Sequence, residues 1–268
     1  VDDLASELSV EEKAEVLSTW GNGVLADLKK GSSQDHVGRA LIDTVNRFNI
    51  PHEHFEAFLH SMTMDLTVQE YESYEDLLEY VYGSAAVIGL QMVPILGPLH
   101  NDAFAAAEKL GIAFQLANFI RDVDEDLDRG RVYLPLKELG QFGVTREMLE
   151  ERVLTPEIIE ALKFQIARVR QLQAEAATGI KMLEPSSRPC IDAASTLYCG
   201  IVDEVEKIGY DIFNHRAKAM KVVLPHRRCA DVEGAGLAHR LCYDETGIEL
   251  LGILRLHERR AVRNFAAG

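Results

Sequence analysis

Gln115-Leu-Ala-Asn118-Phe-Ile-Arg121-Asp122-Val-Asp124-Glu125-Asp126-Leu-Asp128-Arg-Gly-Arg131-Val-Tyr133-Leu-Pro135 is the stretch on which the reading of this chain turns. At 100° per residue, Gln115, Asn118, Asp122 and Asp126 fall within about an 80° arc of one helix face, stacked over about three turns. Side-chain oxygens therefore line a single face of a predicted helix that runs to Asp128, with Gly130 as its natural C′ residue.

Five carboxylates, Asp122, Asp124, Glu125, Asp126 and Asp128, crowd the C-terminal end of that helix. There they oppose the helix dipole and repel one another at i,i+4, each at roughly 0.3–1 kcal/mol when exposed. Something positive has to offset that cost. Mg²⁺ suits the pattern, because it takes one or two carboxylates, keeps waters and shares its remaining positions with phosphate oxygens. Arg121, Arg129 and Arg131 can grip the same diphosphate through charge-assisted, bidentate hydrogen bonds. A solvated helix end with internal salt bridges is the other reading of the same spacing. A calcium loop fails in both frames: counted from Asp122, position 6 is Leu127 and position 12 is Tyr133, and counted from Asp124 they are Arg129 and Pro135.

Outward from this segment the pattern stays helical. Apolar residues recur at i, i+3 and i+4, and Gly and Pro punctuate at wide intervals, so the expected class is all-α with seven or eight helices. Ser9 with Glu12 forms a capping box ahead of Val16, Leu17 and Trp20. A second helix is predicted over 36–48 and a third from Pro51 through Met64. Ser73 with Asp76 opens the next, 74–95, and Asn101 caps the helix that carries the acidic face. Thr155-Pro156 starts a long helix to about Leu183, and Pro189 precedes another that carries Tyr198 and Val205.

The 268 residues suffice for one large core. A net charge of -15 and a pI near 5.0 argue against nucleic acid as a partner, which needs basic surface. Cys190, Cys199, Cys229 and Cys242 contain no CxxC pair, so zinc and redox motifs are unsupported and the thiols are expected to be reduced. The chain opens without a basic-then-apolar leader, and its longest apolar stretch, 83–98, is interrupted by Ser84, Gln91 and Pro94. The expected place is the cytoplasm, at most peripheral to a membrane. The segment 249–264 mixes leucines with arginines; it suits docking on a membrane, though packing against the core is the expectation. His52 and His54 at i,i+2 point about 200° apart on a helix, cannot share a metal and are expected at the surface. His100 and His239 are expected to be structural.

The segment QLANFIRDVDEDLDRGRVYLP resembles the second aspartate-rich motif of the squalene/phytoene synthase family. Met64-Asp65-Leu66 followed by Tyr71, then Tyr80-Val-Tyr82-Gly83-Ser-Ala-Ala-Val-Ile-Gly89, and Tyr198 with Ile201-Val-Asp203-Glu204-Val and Gly209-Tyr210-Asp211 agree with the same family in order and spacing. The resemblance covers residues 1–216, and 217–268 form a divergent, unassigned tail. It implies an isoprenoid synthase-type helical bundle around a central prenyl-diphosphate cavity. Val1-Asp2-Asp3 resembles the end of the family's first motif, DDxxD, so the chain is expected to lack its N-terminal helices. The departures are Glu70, where the family often has a basic residue, and His215-Arg216, where it has two arginines.

Carried over by position, the resemblance implies that Asn118, Asp122, Asp126 and Asp2 bind Mg²⁺, with Mn²⁺ as a substitute. It implies that Asp2, Asp122, Asp126 and Tyr198 carry the catalysis, and that Gln115, Arg121, Arg131, Tyr133 and Tyr80 contact the substrate. The implied reaction is the prenyltransfer that joins two geranylgeranyl diphosphates head to head through a cyclopropyl diphosphate to phytoene, in carotenoid biosynthesis. A squalene or dehydrosqualene synthase using farnesyl diphosphate, and a non-catalytic helical metal-binding fragment, are the alternatives. Small residues at Gly83, Ala85, Ala86 and Gly89 would leave room for prenyl chains in a wall beside Tyr80 and Tyr82; close helix packing explains Ala85 and Ala86 equally well.

Overall fold

Side-chain caps set where several helices begin. In this computed structural model, which describes residues 8–215 and Ala217, α1 (Val10–Lys30) opens on the reciprocal Ser9–Glu12 box. Further helices are α2 (His36–Phe48), α3 (Glu53–Met64), α4 (Tyr74–Val81), a π-helical segment (Tyr82–Ala86), α5 (Val87–Leu96), α6 (Asp102–Arg121) and α7 (Val123–Asp128). They are followed by α8 (Leu136–Gln141), α9 (Arg146–Glu150), α10 (Pro156–Ile180), α11 (Arg188–Cys199) and α12 (Ile201–Lys207). The described residues contain isolated bridges at Glu70–Val132 and Pro98–Leu183 and no strand, in agreement with the all-α expectation.

The caps at Ser73–Asp76 and Thr155 form as the sequence predicts. Asn101 does not: its side chain makes no cap bond, and His100 Nδ1 accepts from Asp102 N at 3.1 Å instead. The helix predicted to continue past Tyr198 divides at Gly200, so Val205 lies on α12. The short helices α8 and α9 were not expected; their apolar stripes are too brief to show a period.

The core lies between α6 and α10, which pack along much of their lengths. Leu110, Ala113, Leu116, Ala117, Phe119 and Ile120 of α6 are all buried, the pattern of a helix enclosed on most sides. Ile158, Leu162, Ile166 and Val169 of α10 meet them, and Leu77 and Val81 of α4 with Ile201 and Val202 of α12 complete the same cluster. Each fully buried aliphatic side chain contributes about 1.5–3 kcal/mol.

The helix Tyr74–Leu96 is long and apolar enough to cross a membrane by length and composition, and half of its most apolar window is buried inside the protein. Ser84, Gln91 and Pro94 do not interrupt it. Two residues before the π segment, the Tyr80 carbonyl accepts from the buried Ser61 hydroxyl of α3 at 2.8 Å. A Cβ at Gly83 would strike the Ala57 carbonyl and Ser61 Oγ, and one at Gly89 would lie 2.6 Å from the Ala107 carbonyl of α6. These glycines let three helix backbones approach closely. Packing, rather than room for a ligand, is what Gly83 and Gly89 provide, with Ala86 fully buried between them.

His54 also departs from expectation: it is buried on α3, and burial lowers its pKa. Asp2, Arg216 and the segment from residue 218 onward lie outside the described residues.

Candidate functional site

The acidic face is carried by a corner, not by one straight helix. Helix α6 ends at Arg121, Asp122 takes φ -99° and ψ 15°, and α7 starts at Val123. Consecutive side chains on a regular helix do not face each other, yet Arg121 forks onto Asp122, Nε to Oδ1 at 2.7 Å and Nη2 to Oδ2 at 2.5 Å. The pair is compatible with the backbone leaving helical values there. The predicted helix through Asp128 is corrected to two segments.

Backbone hydrogen bonds nevertheless string the candidate residues together. Asp122 N donates to Asn118 O, Asp126 N to Asp122 O and Arg131 N to Asp126 O, each at 2.8 Å. Gly130, at φ 73°, makes the turn that brings Arg131 back. Val132 N then donates to Gln69 O at 2.8 Å, which ties the returning chain to the segment after α3.

Burial raises the Asp126 carboxyl, and the neighbouring Asp122 adds to it, so that it is pushed up to about 7 against the pull of Arg129 and Arg131. A buried carboxylate next to another is short of positive charge. Burial works against the charge of Arg121, but its bonds to Asp122 outweigh it, with Glu125 and Tyr198 adding to the effect, and the pKa is raised. Tyr198 reaches this side from α11 and stacks on Phe114 of α6, centroids 4.8 Å apart. Gln115 is half-buried, one turn before Asn118.

Beside Asp126, Phe119 and Tyr133 belong to an aromatic wall. Tyr133 stacks on Phe119 and lies 5.6 Å from Tyr80, which in turn lies 5.7 Å from Tyr71. Asp65, just past the end of α3, gathers this wall: Tyr80 OH donates to Oδ2 at 3.2 Å and Tyr133 OH to Oδ1 at 3.4 Å, while Arg131 Nη2 donates to its carbonyl at 2.8 Å. Burial, then the Asp65 charge, raises the pKa of Tyr80 and Tyr133, so both phenols stay neutral.

Asn118, Arg121, Asp122, Asp126, Arg131, Tyr133, Tyr80 and Tyr198 are thus gathered around one corner. Asp65, Phe119 and Tyr71 join them without having been singled out for a role. Asp65 and Tyr71 stood in the matching motif segments, and Phe119 is the chain neighbour of Asn118. Of the two departures, Glu70 pairs with Arg146 at 2.7 Å and His215 with Asp211 at 3.0 Å.

Among the described residues no three His, Cys, Asp or Glu side chains converge as a metal cluster. The donors on offer are the Asp122 and Asp126 carboxylates with the Asn118 amide. That set fits Mg²⁺, which needs few protein ligands beside water and phosphate, and the charge shortage at Asp126 fits a cation. Arg121 would have to share Asp122 with it.

A sequence model of the family described as squalene/phytoene synthase matches residues 1–223. The chain is 38% identical over 204 residues to chloroplastic phytoene synthase 1 of Arabidopsis thaliana, covering 74% of this chain and 48% of that protein. It is 37% identical over 213 residues to chloroplastic phytoene synthase 2 of Solanum lycopersicum, covering 77% and 68%. The chain spans about half the length of most of the curated relatives it matches. Among solved structures, the squalene synthase HpnC from Alicyclobacillus acidocaldarius superposes with a TM-score of 0.72 at 26% identity, covering 78% of this chain and 79% of that one. A dehydrosqualene synthase in complex with ligand gives 0.71 at 28%, covering 76% and 72%. The chain belongs to the squalene/phytoene synthase family.

Proposed function

We propose that the protein joins two geranylgeranyl diphosphates head to head, through a cyclopropyl diphosphate, to form phytoene with release of diphosphate. One observation carries the reading: Asp126, beside the Asp122 charge, lines the same small space as Arg131, Phe119 and Tyr133. Groups suited to a leaving diphosphate adjoin an aromatic cluster suited to keeping water from the carbocation it leaves behind. The phytoene synthases among the relatives favour the C40 product.

Asn118, Asp122 and Asp126 would hold Mg²⁺, which supplies Lewis-acid polarisation of the diphosphate when bound. Arg121 and Arg131 flank the acids and orient the diphosphate oxygens by directed N–H donors. The neutral Tyr80 and Tyr133, packed with Phe119 and Tyr71 in the core, close this side of the site to water. Product formation ends in proton loss and requires no reductant.

Use of farnesyl diphosphate is the second reading, favoured by the squalene and dehydrosqualene synthases among the solved structures. Full-length protein incubated with geranylgeranyl diphosphate and Mg²⁺ should yield a C40 hydrocarbon that Asp122→Ala abolishes. Product from farnesyl diphosphate alone moves the assignment to the second reading. Inactivity with both substrates refutes catalysis and leaves only the fold.

A further inference from the structure

The carboxylates of the corner are not used alike. Arg152, in the turn between α9 and α10, reaches back to α7: Nη1 lies 2.9 Å from Asp124 Oδ1, and Nη2 donates to Asp128. It thereby bridges two acids one turn apart that would otherwise repel each other. Arg146, at the start of α9, holds the other end of the same corner. Its Nη2 donates to the Gly130 carbonyl at 2.9 Å, Nη1 to Glu70 at 2.7 Å and Nε to Glu150 at 2.8 Å.

Between the two arginines α9 buries Leu149, which lines a small internal space with Phe119, Val123, Asp126, Arg131 and Tyr133. The stretch 146–152 thus packs behind Asp126, bridges Asp124 and Asp128 of α7 through Arg152 and holds the Gly130 turn through Arg146. Six residues do not sustain a helix alone, so α7 depends on this support. The backbone of Arg152 carries a further sign: its φ is 54°. A non-glycine residue there is strained and persists where surrounding contacts over-determine it.

We propose that Arg146 and Arg152 are positioning residues for the acidic corner. They fix α7 and the Gly130 turn so that Asp126 and Arg131 face the site, and Asp124 and Asp128 act as anchors for Arg152 and not as ligands. The inference rests on the reading above that the corner takes Mg²⁺ and diphosphate. It also gives Glu70 a purpose: an acid at this position completes the grip of Arg146.

The test is a titration of the full-length protein with MgCl₂ at fixed inorganic diphosphate, read as the rise in melting temperature. Arg152→Ala and Arg146→Ala should raise the Mg²⁺ midpoint about tenfold or more, the range for losing a group that orients metal ligands. Arg170→Ala, which breaks a surface grip on Asp203 and Glu206 between α10 and α12, should lower the starting melting temperature and leave the midpoint in place. Arg152→Lys, with one ammonium for two acids, should fall between wild type and Arg152→Ala. Where the alanine variants fail to fold, Arg152→Lys and Asp124→Asn decide the matter by the same midpoint. Midpoints unchanged from wild type overturn the inference alone; a wild type that does not respond to Mg²⁺ and diphosphate overturns the underlying reading of the site as well.

Discussion

The ring of Tyr133 lies flat against that of Phe119, centroids 4.1 Å apart and planes 6° from parallel. Phe119 belongs to α6 and Tyr133 to the chain returning after Gly130, so this contact closes the loop that carries Asp122, Asp126 and Arg131. Removing the ring with Tyr133→Ala should cost about 3–5 kcal/mol. Tyr133→Phe keeps the stack and loses the 3.4 Å bond to Asp65, a loss of about 1 kcal/mol. Urea unfolding of the two variants should separate the contributions; equal destabilisation would contradict this account.

Gly83 and Gly23 should respond oppositely to alanine. A methyl group at Gly83 has no room between α3 and the π segment, so Gly83→Ala should destabilise by about 1–3 kcal/mol. Gly23 is exposed in the middle of α1 with nothing near its missing Cβ. Gly23→Ala should stabilise by about 0.5–1 kcal/mol through helix propensity. Thermal melts of the pair test whether the first site is packed as described.

Glu138 and Arg168 pair at 2.5 Å with side chains 12% and 18% exposed, and the guanidinium of Arg168 also covers the Tyr74 ring at 3.8 Å. Burial raises the Glu138 carboxyl, but hydrogen bonds from Arg168 and Gln165 outweigh it and hold the pKa below its usual value. A depressed folded pKa adds stability that is full above the unfolded pKa, about 4.3, and is lost as pH falls through the folded value. Arg168→Ala should cost about 1–3 kcal/mol at pH 7, because it leaves the half-buried carboxylate with the Gln165 amide as its remaining partner. It should also flatten stability against pH in the acid range, as measured by denaturant midpoints between pH 7 and pH 3.

The thiols should differ in reactivity. Cys199 is buried, and burial pushes its pKa up to about 12 with the Asp203 charge adding, whereas Cys190 is exposed. Thiolate is the reactive form, so iodoacetamide at pH 8 should alkylate Cys190 in the native protein and reach Cys199 only after unfolding. Peptide mapping by mass spectrometry distinguishes the two; rapid native labelling of Cys199 would contradict its placement.

What the sequence by itself determined about this protein was local. Ser9–Glu12, Ser73–Asp76 and Thr155 start their helices as read because each cap is a bond between residues three apart. The stacking of Asn118, Asp122 and Asp126 survives as a ladder of i→i+4 backbone bonds. Tertiary structure decided the rest. It set the corner at Asp122, the burial of His54 and the close packing at Gly83, none of which follows from spacing along one helix. Asp65 meets Arg131 and Tyr133 from 66 and 68 residues away, and Arg152 takes Asp124 and Asp128 out of a run of acids that looked uniform. Caps and periodicity depend on atoms within about one turn. Which carboxylate is buried, anchored or left facing the site depends on which helix faces meet.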